Sequence, residues 1–105
     1  MASELERRIV EVIRFLREGE VVSYGDIADD AGFPGRSRAV GRVLAASTDV
    51  YDLPWWRVVN STGRLVPGHE AEQAQLLRAE GASVDNGRVK AAMYGRFRPV
   101  RRSNP

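Results

Sequence analysis

The chain has 105 residues, enough for one compact domain, and its 43% hydrophobic and 29% charged residues are typical of a globular protein. Cysteine is absent and there is one histidine, so disulfides, thiolate metal sites and thiol nucleophiles are excluded, and we expect neither a metal nor another cofactor. The formal net charge is only +2. No apolar run approaches the ~20 residues of a membrane span and the first residues do not resemble a signal peptide, so we expect a cytoplasmic protein that binds no membrane.

Arginine dominates the basic residues and is unevenly distributed. Of the 16 basic residues only Lys90 is not arginine, and six of the 16 lie after residue 87, where the sequence has no acidic residue. Arginine is suited to phosphates and base edges, because its planar guanidinium offers several donors and can stack. We therefore expect one domain over residues 1–105 with a basic C-terminal tail from about residue 95, a pattern that is equally typical of a solvated, disordered tail.

The first predicted element is an amphipathic helix. Apolar residues recur at helical spacing after Ser3, which can cap a helix that begins at Glu4 or Leu5 and ends near Gly19. Val21–Val22 is interpreted as a short apolar link to the next element.

Two shorter helices are predicted next. Ser23 followed by Asp26 is typical of a capping box and predicts a brief helix to about Ala31. After a Gly-Phe-Pro-Gly break, a third helix is predicted from residue 36 or 37 to Ala46. The arginines on its surface are Arg36, Arg38 and Arg42. A helix pair with a basic second member has the outline of a helix-turn-helix, although many small helical domains also contain such pairs.

The middle of the chain is predicted to form a small wing. Residues 47–53 are interpreted as a loop, and Trp55–Val59 as a strand bounded by Pro54 and by the turn residues that begin at Asn60. Arg64–Val66 is predicted to return beside that strand as its hairpin partner.

The last part of the chain is predicted to contain one helix and one turn. Residues 70–80 favour a helix that ends at Gly81. Its predicted inward-facing residues are Ala71, Ala74 and Leu77. A turn is predicted at Asn86–Gly87 within residues 84–91, and no structure is assigned beyond Tyr94.

Four segments of the sequence indicate a family when they are taken together: Val21–Ala28, Ser37–Gly41, Pro54–Val59 and Leu76–Gly81. In order and spacing they resemble the DNA-binding domain of the alkylguanine-DNA alkyltransferases, over about residues 5–82. The third segment is the most specific, because it resembles the family's Pro-Cys-His-Arg-Val active-site motif, with Trp55 at the acceptor cysteine and Trp56 at the histidine. Replacement of that cysteine by tryptophan is the mark of the alkyltransferase-like proteins.

The resemblance implies an α+β, mainly helical fold, namely a winged helix-turn-helix DNA-binding domain that lies in the minor groove. A damaged guanine would rotate into a pocket; Arg38 matches the arginine that fills the vacancy, and Tyr24 the tyrosine that helps to turn the nucleotide out. Alkyltransferase-like proteins hold O6-alkylguanine without repairing it and pass it to nucleotide excision repair. The implied partners are double-stranded DNA containing alkylated guanine and nucleotide excision repair proteins, and we expect a monomer associated with the nucleoid.

The resemblance also suggests which side chains form the lesion pocket, namely Tyr24, Trp55 and Val58. A tryptophan at the acceptor position would offer a stacking surface, and stacking contributes ~1–3 kcal/mol per base. On a strand Trp55 and Trp56 would point to opposite faces, so Trp55 is assigned to the pocket. The alternative is that both tryptophans are ordinary core aromatics.

Two further roles are predicted around this pocket. Arg36, Arg42 and Arg57 are expected to contact phosphates. Trp56 is expected to support the pocket by donating a hydrogen bond to Glu80, which matches the acid that binds the family's histidine; an exposed Glu80 is the alternative. His69 is left outside the site as a loop residue.

Three functions follow from these patterns. The first is non-enzymatic recognition of O6-alkylguanine in DNA. The second is catalysis, by a transferase with another nucleophile or by a glycosylase, which the absence of cysteine and of acid–base pairs disfavours. The third is a winged-helix transcription regulator that binds undamaged DNA.

Overall fold

The computed structural model describes residues 3–99 of the chain. This part contains four α-helices, five short strands and one 3₁₀ turn between the third helix and the second strand. The helices are α1 (Glu4–Arg14), α2 (Tyr24–Asp30), α3 (Ser37–Tyr51) and α4 (Glu70–Ala79), and the strands are β1 (Glu20–Ser23), β2 (Val58–Val59), β3 (Ser83–Asp85), β4 (Arg88–Ala91) and β5 (Tyr94–Gly95). The predicted α+β, mainly helical class is confirmed. No helix between residues 3 and 99 is both long and apolar enough to cross a membrane.

A small parallel sheet lies at the centre, with strand order β2-β1-β5. Val22 of β1 pairs with Val58 of β2, and Glu20 of β1 pairs with Tyr94 of β5. The interpretation of Val21–Val22 as a link is therefore wrong. Both valines are buried, as expected for a central strand covered on both faces, and a strand this short has no measurable periodicity in the sequence.

The pleat of this sheet divides the core into two clusters. Val22 and Val58 face the cluster formed by α1, α2 and α3, whereas Val21 and Val59 face the cluster formed by α4 and the β3–β4 hairpin. Successive side chains of a strand point to opposite faces, which explains this division. The sheet thus holds the helix-rich and hairpin-rich halves together.

The start of α1 agrees with the prediction and its end does not. The Ser3 hydroxyl accepts a hydrogen bond from the Glu6 amide at 3.1 Å, so the predicted cap is confirmed. The helix ends at Arg14 rather than near Gly19, and turns follow. Gly19 adopts a φ of +87° and its amide donates to Glu80, so it begins β1 instead of closing α1.

The α2–α3 pair is present, with a longer second helix than predicted. The capping box is confirmed, because the Ser23 hydroxyl accepts from the Asp26 amide at 3.0 Å and the Asp26 carboxylate accepts from the Ser23 amide at 2.9 Å. α3 continues to Tyr51, so the predicted loop over residues 47–53 is wrong for its first five residues. Polar residues there suggested a turn, but the helix ends only where Asp52 enters the left-handed region, shortly before Pro54.

The predicted strand and wing are also corrected. Trp55–Arg57 forms a 3₁₀ turn and only Val58–Val59 is a strand, which pairs in parallel with β1. Arg64 bridges Arg88 instead, and the Leu65 amide donates to the Gly87 carbonyl at 2.9 Å. The segment after the Asn60 turn therefore lies beside the C-terminal hairpin rather than beside β2.

α4 and the hairpin that follows it match most of the prediction. Leu77 and Ala74 are buried, but Ala71 is exposed and Gln73 takes the inward position. Gly81 follows the helix with a φ of +89°, and Asn86 and Gly87 form the predicted turn, between β3 and β4.

The predicted C-terminal tail is docked where it is described. The Arg96 guanidinium donates to both oxygens of Asp26 at 2.8 Å, and its amide donates to the Val21 carbonyl at 3.1 Å. Phe97 packs against the second core cluster. Residues 100–105, which hold the rest of the predicted tail, lie outside the described part.

Candidate nucleic-acid interface

The first half of α3 carries three exposed arginines. Arg36 precedes the helix, and Arg38 and Arg42 follow on it one turn apart. Within residues 3–99 none of the three guanidinium groups makes a hydrogen bond or an ion pair to another residue. They are therefore free to bind phosphates or bases.

A cavity of about 410 Å³ lies beside the same helix. Its wall combines Tyr24 from the start of α2, Trp55 from the 3₁₀ turn, and His69 and Glu72 from the start of α4. The side formed by α3 has small residues at helical spacing: Gly41, Ala45 and Thr48. Each wall therefore comes from a different element of the fold.

The arginines and the cavity share one face of α3. Arg38 lies three residues before Gly41 and seven before Ala45, which places it on the stripe that lines the cavity. Space is open at Gly41, where a Cβ atom would meet no heavy atom within 4 Å. A flat ligand can thus approach the helix backbone directly beside Arg38.

Trp55 forms the aromatic wall of the cavity. Its ring lies edge-on to the imidazole of His69, with centroids 5.8 Å apart and an interplanar angle of 66°. It also meets Trp56 in a T-shaped pair, with centroids 6.4 Å apart. Edge contacts of this kind stabilise the ring while leaving a face for stacking.

A nearly buried carboxylate holds the turn that carries Trp55. Glu80 accepts hydrogen bonds from the Trp56 indole at 2.9 Å, from the Gly19 amide at 3.1 Å and from two nitrogens of Arg57 at 2.9 and 2.7 Å. Arg57 also donates to the Leu16 carbonyl at 2.8 Å. The predicted Trp56–Glu80 hydrogen bond is therefore present, and it belongs to a network that joins α1, the 3₁₀ turn and α4.

The ionisation of two of these groups follows from their surroundings. Burial raises the pKa of Glu80, but hydrogen bonds from Arg57, Gly19 and Trp56, with the charge of Arg57, outweigh it and leave that pKa below its ordinary value. Burial raises the pKa of the Tyr24 phenol, which therefore stays neutral and can donate a hydrogen bond into the cavity.

Comparison with known proteins places this geometry in a family. Residues 4–82 match the family described as "6-O-methylguanine DNA methyltransferase, DNA binding domain". The chain belongs to this family. The matched range contains the cavity, the α3 arginines and the Glu80 network, and it ends before β3.

Relatives in the same family include small proteins of similar length. The chain is 39% identical to the DNA base-flipping protein of Vibrio parahaemolyticus, over 83% of this chain and 90% of the relative. It is 37% identical to the DNA base-flipping protein of Escherichia coli, over 84% and 70% of the two chains.

Solved structures of the family have the same fold. The complex of Schizosaccharomyces pombe Atl1 with damaged DNA containing O6-carboxymethylguanine matches with a TM-score of 0.71 at 28% identity, over 81% of this chain and 83% of that one. The O6-methylguanine methyltransferase of Mycobacterium tuberculosis matches with a TM-score of 0.64 at 30% identity, over 81% and 54%.

Two site residues predicted from the family resemblance are corrected by the structure. Arg57 was expected to contact phosphate, but all three nitrogens of its guanidinium are bound to Glu80 and Leu16 and its side chain is 14% exposed. Val58 was expected in the pocket, but it is fully buried in the first core cluster. Arg57 belongs to the 3₁₀ turn, where side chains rotate by about a third of a turn per residue instead of alternating. Val58 belongs to β2, which pairs with β1 inside the core.

Two of the residues predicted for the lesion pocket line the cavity, namely Tyr24 and Trp55. Tyr24 also packs on the first core cluster, which α1, α2 and α3 form. Trp56 packs against the second core cluster and does not line the cavity. The expectation that only Trp55 would face the pocket agrees with the structure, although the argument from strand alternation does not.

Sequence reasoning missed two residues. His69 lines the cavity, and its only signal was its position just before a helix. The buried Gln73 side chain accepts from the Val66 amide at 2.7 Å and donates to the carbonyls of Trp56 and Val58 at 3.1 and 3.2 Å. A glutamine on the same helical face as Ala74 and Leu77 was the available signal for it.

Proposed function

We propose that this protein recognises O6-alkylguanine in double-stranded DNA and holds it, rotated out of the helix, without removing the alkyl group. The observation that carries the proposal is the cavity walled by Tyr24 and Trp55, directly beside exposed arginines on one helix. Proteins that act on or bind a single base of a duplex must extrude it. They need a pocket with an aromatic surface for the base, next to positively charged side chains that contact the phosphate backbone of the DNA. The names of the base-flipping relatives and the Atl1–DNA complex support this proposal.

In this proposal α2 and α3 act as the helix-turn-helix of a winged DNA-binding domain that lies in the minor groove. The two-stranded unit available as a wing is β3–β4, since residues 55–66 do not form the predicted hairpin. Arg36 and Arg42 then contact phosphates, and the turn between α2 and α3 faces the sugar-phosphate backbone of the DNA.

Arg38 takes the place of the extruded nucleotide in the proposed complex. Extrusion costs a few kcal/mol of stacking and pairing, and less for an alkylated guanine that already pairs poorly. A guanidinium inserted into the gap can stack and bind the orphaned base, so it recovers part of this cost. Tyr24 would assist by occupying the space next to the rotated nucleotide.

The chain can hold the alkyl group but has no group that accepts it. We take Trp55 to occupy the position of the acceptor cysteine, and none of the 105 residues is cysteine. Acceptance of the alkyl carbon requires an activated nucleophile such as a thiolate, and an indole is not one at neutral pH. The proposed product is therefore a marked and distorted site, which a nucleotide excision repair protein would recognise, with the protein acting as a monomer in the cytoplasm, on the nucleoid.

The proposal is tested by binding to matched duplexes with and without one O6-methylguanine. We expect tighter binding to the lesion duplex and no transfer of a labelled methyl group to the protein. Gly41→Leu should abolish the lesion preference and keep binding to undamaged duplex, because Gly41 lines the cavity, its Cβ position is open and a longer side chain there would occupy the space for the base. Gly41→Ala, which adds one methyl group and favours the helix, is the control.

The competing function, a regulator that reads undamaged sequence, predicts different results. It also uses the exposed arginines of α3, but it does not need the cavity. Equal affinity for the two duplexes, or a Gly41→Leu variant that keeps a lesion preference, would contradict the proposed function. Transfer of the label to the wild-type chain would contradict its non-enzymatic part.

A further inference from the structure

The charged side chains on the cavity wall are all acidic. Asp49, near the end of α3, and Glu72, in the first turn of α4, are both exposed and line the cavity from two different helices. No Lys or Arg is among the described residues that line it. Between residues 3 and 99 neither carboxylate makes an ion pair or a hydrogen bond with another side chain. The remaining titratable groups on the wall are His69 and Tyr24, and burial raises the pKa of the Tyr24 phenol.

We propose that Asp49 and Glu72 determine which alkylguanines this protein accepts: neutral and cationic O6-alkyl groups bind, and anionic carboxyalkyl groups are disfavoured. The inference rests on the proposed function, since it places the lesion in this cavity. It concerns this chain's own wall rather than the fold, because Atl1, at 28% identity, is known in complex with O6-carboxymethylguanine DNA.

The size of the cavity makes the two charges effective. A volume of about 410 Å³ corresponds to a width of roughly 9 Å, close to the Debye length of ~8 Å at physiological ionic strength, so salt does not fully screen a ligand charge inside it. Trp55, Leu44 and Val66 form the apolar part of the wall beside the two exposed carboxylates. A carboxylate on the lesion would therefore be repelled by both Asp49 and Glu72.

The helix termini do not offset this negative charge. The N-terminus of α4 has a positive dipole end that can attract anions, but Glu70 and Glu72 already lie in its first turn. The negative end of α3 lies beyond Asp49 and adds to the repulsion. Of the basic residues close in sequence to the cavity lining, Arg38 and Arg42 are assigned to the DNA and Arg57 is bound to Glu80. Arg64 does not line the cavity.

The test uses one duplex sequence with four central bases: guanine, O6-methylguanine, O6-carboxymethylguanine and O6-(2-aminoethyl)guanine. For the wild-type protein we expect carboxymethyl binding to be about tenfold weaker than methyl binding, and aminoethyl binding at least as tight as methyl binding. In the double variant Asp49→Asn, Glu72→Gln the carboxymethyl-to-methyl ratio of Kd should fall by roughly threefold for each charge removed, which brings it close to one. Using this ratio cancels the general gain from weaker repulsion of DNA phosphates.

The matched control is Glu70→Gln, which makes the same change on the same helix at a residue that does not line the cavity. It should leave the ratio unchanged. Equal wild-type affinity for the methyl and carboxymethyl duplexes, or a ratio that the double variant does not change, overturns the inference while O6-methylguanine preference still supports the proposed function. A wild-type protein that does not prefer O6-methylguanine over guanine would overturn both the inference and the proposed function.

Discussion

At the scale of single residues, Glu80 shows how the Trp55 turn is fixed. Its two oxygens accept four N–H groups from three residues, and its side chain is 10% exposed. A charged acceptor with this many donors stabilises strongly, and removing one partner of such a pair leaves the other charge nearly buried. The indole of Trp56 thus has a structural partner, and Trp55 next to it is held toward the cavity.

Glu80→Gln should destabilise the protein by roughly 3 kcal/mol at pH 7, because it leaves the Arg57 guanidinium without its counter-charge. The pKa of Glu80 is lowered in the folded state, so its contribution is complete above the ordinary value of 4.5 and is lost as the pH falls through the lower folded pKa. The stability difference between wild type and variant should therefore shrink between pH 5 and pH 3. Urea denaturation at several pH values measures it.

The control for this prediction is Glu18→Gln, an exposed glutamate in the turn before Gly19. It should change stability by less than about 0.5 kcal/mol at either pH. A Glu80→Gln variant as stable as Glu18→Gln at pH 7 would show that the network does not stabilise the turn.

At the scale of elements, the sequence predicted the helix caps and turns that depend on neighbouring residues. The caps at Ser3 and Ser23, the left-handed Gly81 and the Asn86–Gly87 turn were all predicted, because each depends on residues within one turn of one another. The strands β1 and β5 were missed, because two to four residues carry no periodicity and their pairing depends on residues about 70 positions apart.

The candidate site divides in the same way. Tyr24, Trp55 and Arg38 could be selected from the resemblance to the family; Tyr24 and Trp55 line the cavity and Arg38 lies on α3. Arg57 and Val58 were assigned wrongly and Gln73 was missed, since their surroundings depend on the 3₁₀ turn, on β2 and on α4 packing. Burial of a polar side chain becomes visible only when its distant partners are known.

Strand β5 makes an element-scale prediction at Gly95. This residue has a φ of +86°, and a Cβ atom there would clash with the carbonyl oxygen of Val21, a backbone atom of β1. Gly95→Ala should therefore separate β5 from β1 and release Arg96 from Asp26. Gly35→Ala has nearly the same φ, +85°, with no atom within 4 Å of the added methyl group.

Both variants carry the backbone cost of about 1–2 kcal/mol for a left-handed alanine, so the excess loss in Gly95→Ala measures the contact with β1. Thermal and urea denaturation supply the two values. Equal losses would contradict the prediction that the contact between β5 and β1 stabilises the protein.

At the scale of the whole molecule, charge is arranged more unevenly than a net value of +2 suggests. The free arginines of α3 lie at one end of the helix, while Arg57 and Arg96, which sequence alone would count as available, are neutralised by Glu80 and Asp26. DNA would therefore meet a cationic surface at the start of α3, and neither Arg57 nor Arg96 would add to it. Sequence composition could not show this, because it does not reveal which arginines are already paired.

The arginines at the start of α3 determine part of how binding should depend on salt. Each phosphate contact contributes about −0.9 to the slope of log K against log salt concentration, so the contacts of Arg36 and Arg42 alone predict a slope of about −2. Arg42→Ala should reduce the steepness by about one unit equally on lesion and undamaged duplexes, since phosphates are the same in both.

The control for this prediction is Arg14→Ala. Arg14 lines a groove with Tyr51, the last residue of α3. Tyr51 is about 20 Å along the helix from Arg38. Titrations from 50 to 200 mM salt measure these slopes. A slope near zero, or equal losses in the Arg42 and Arg14 variants, would mean that DNA does not bind along the start of α3.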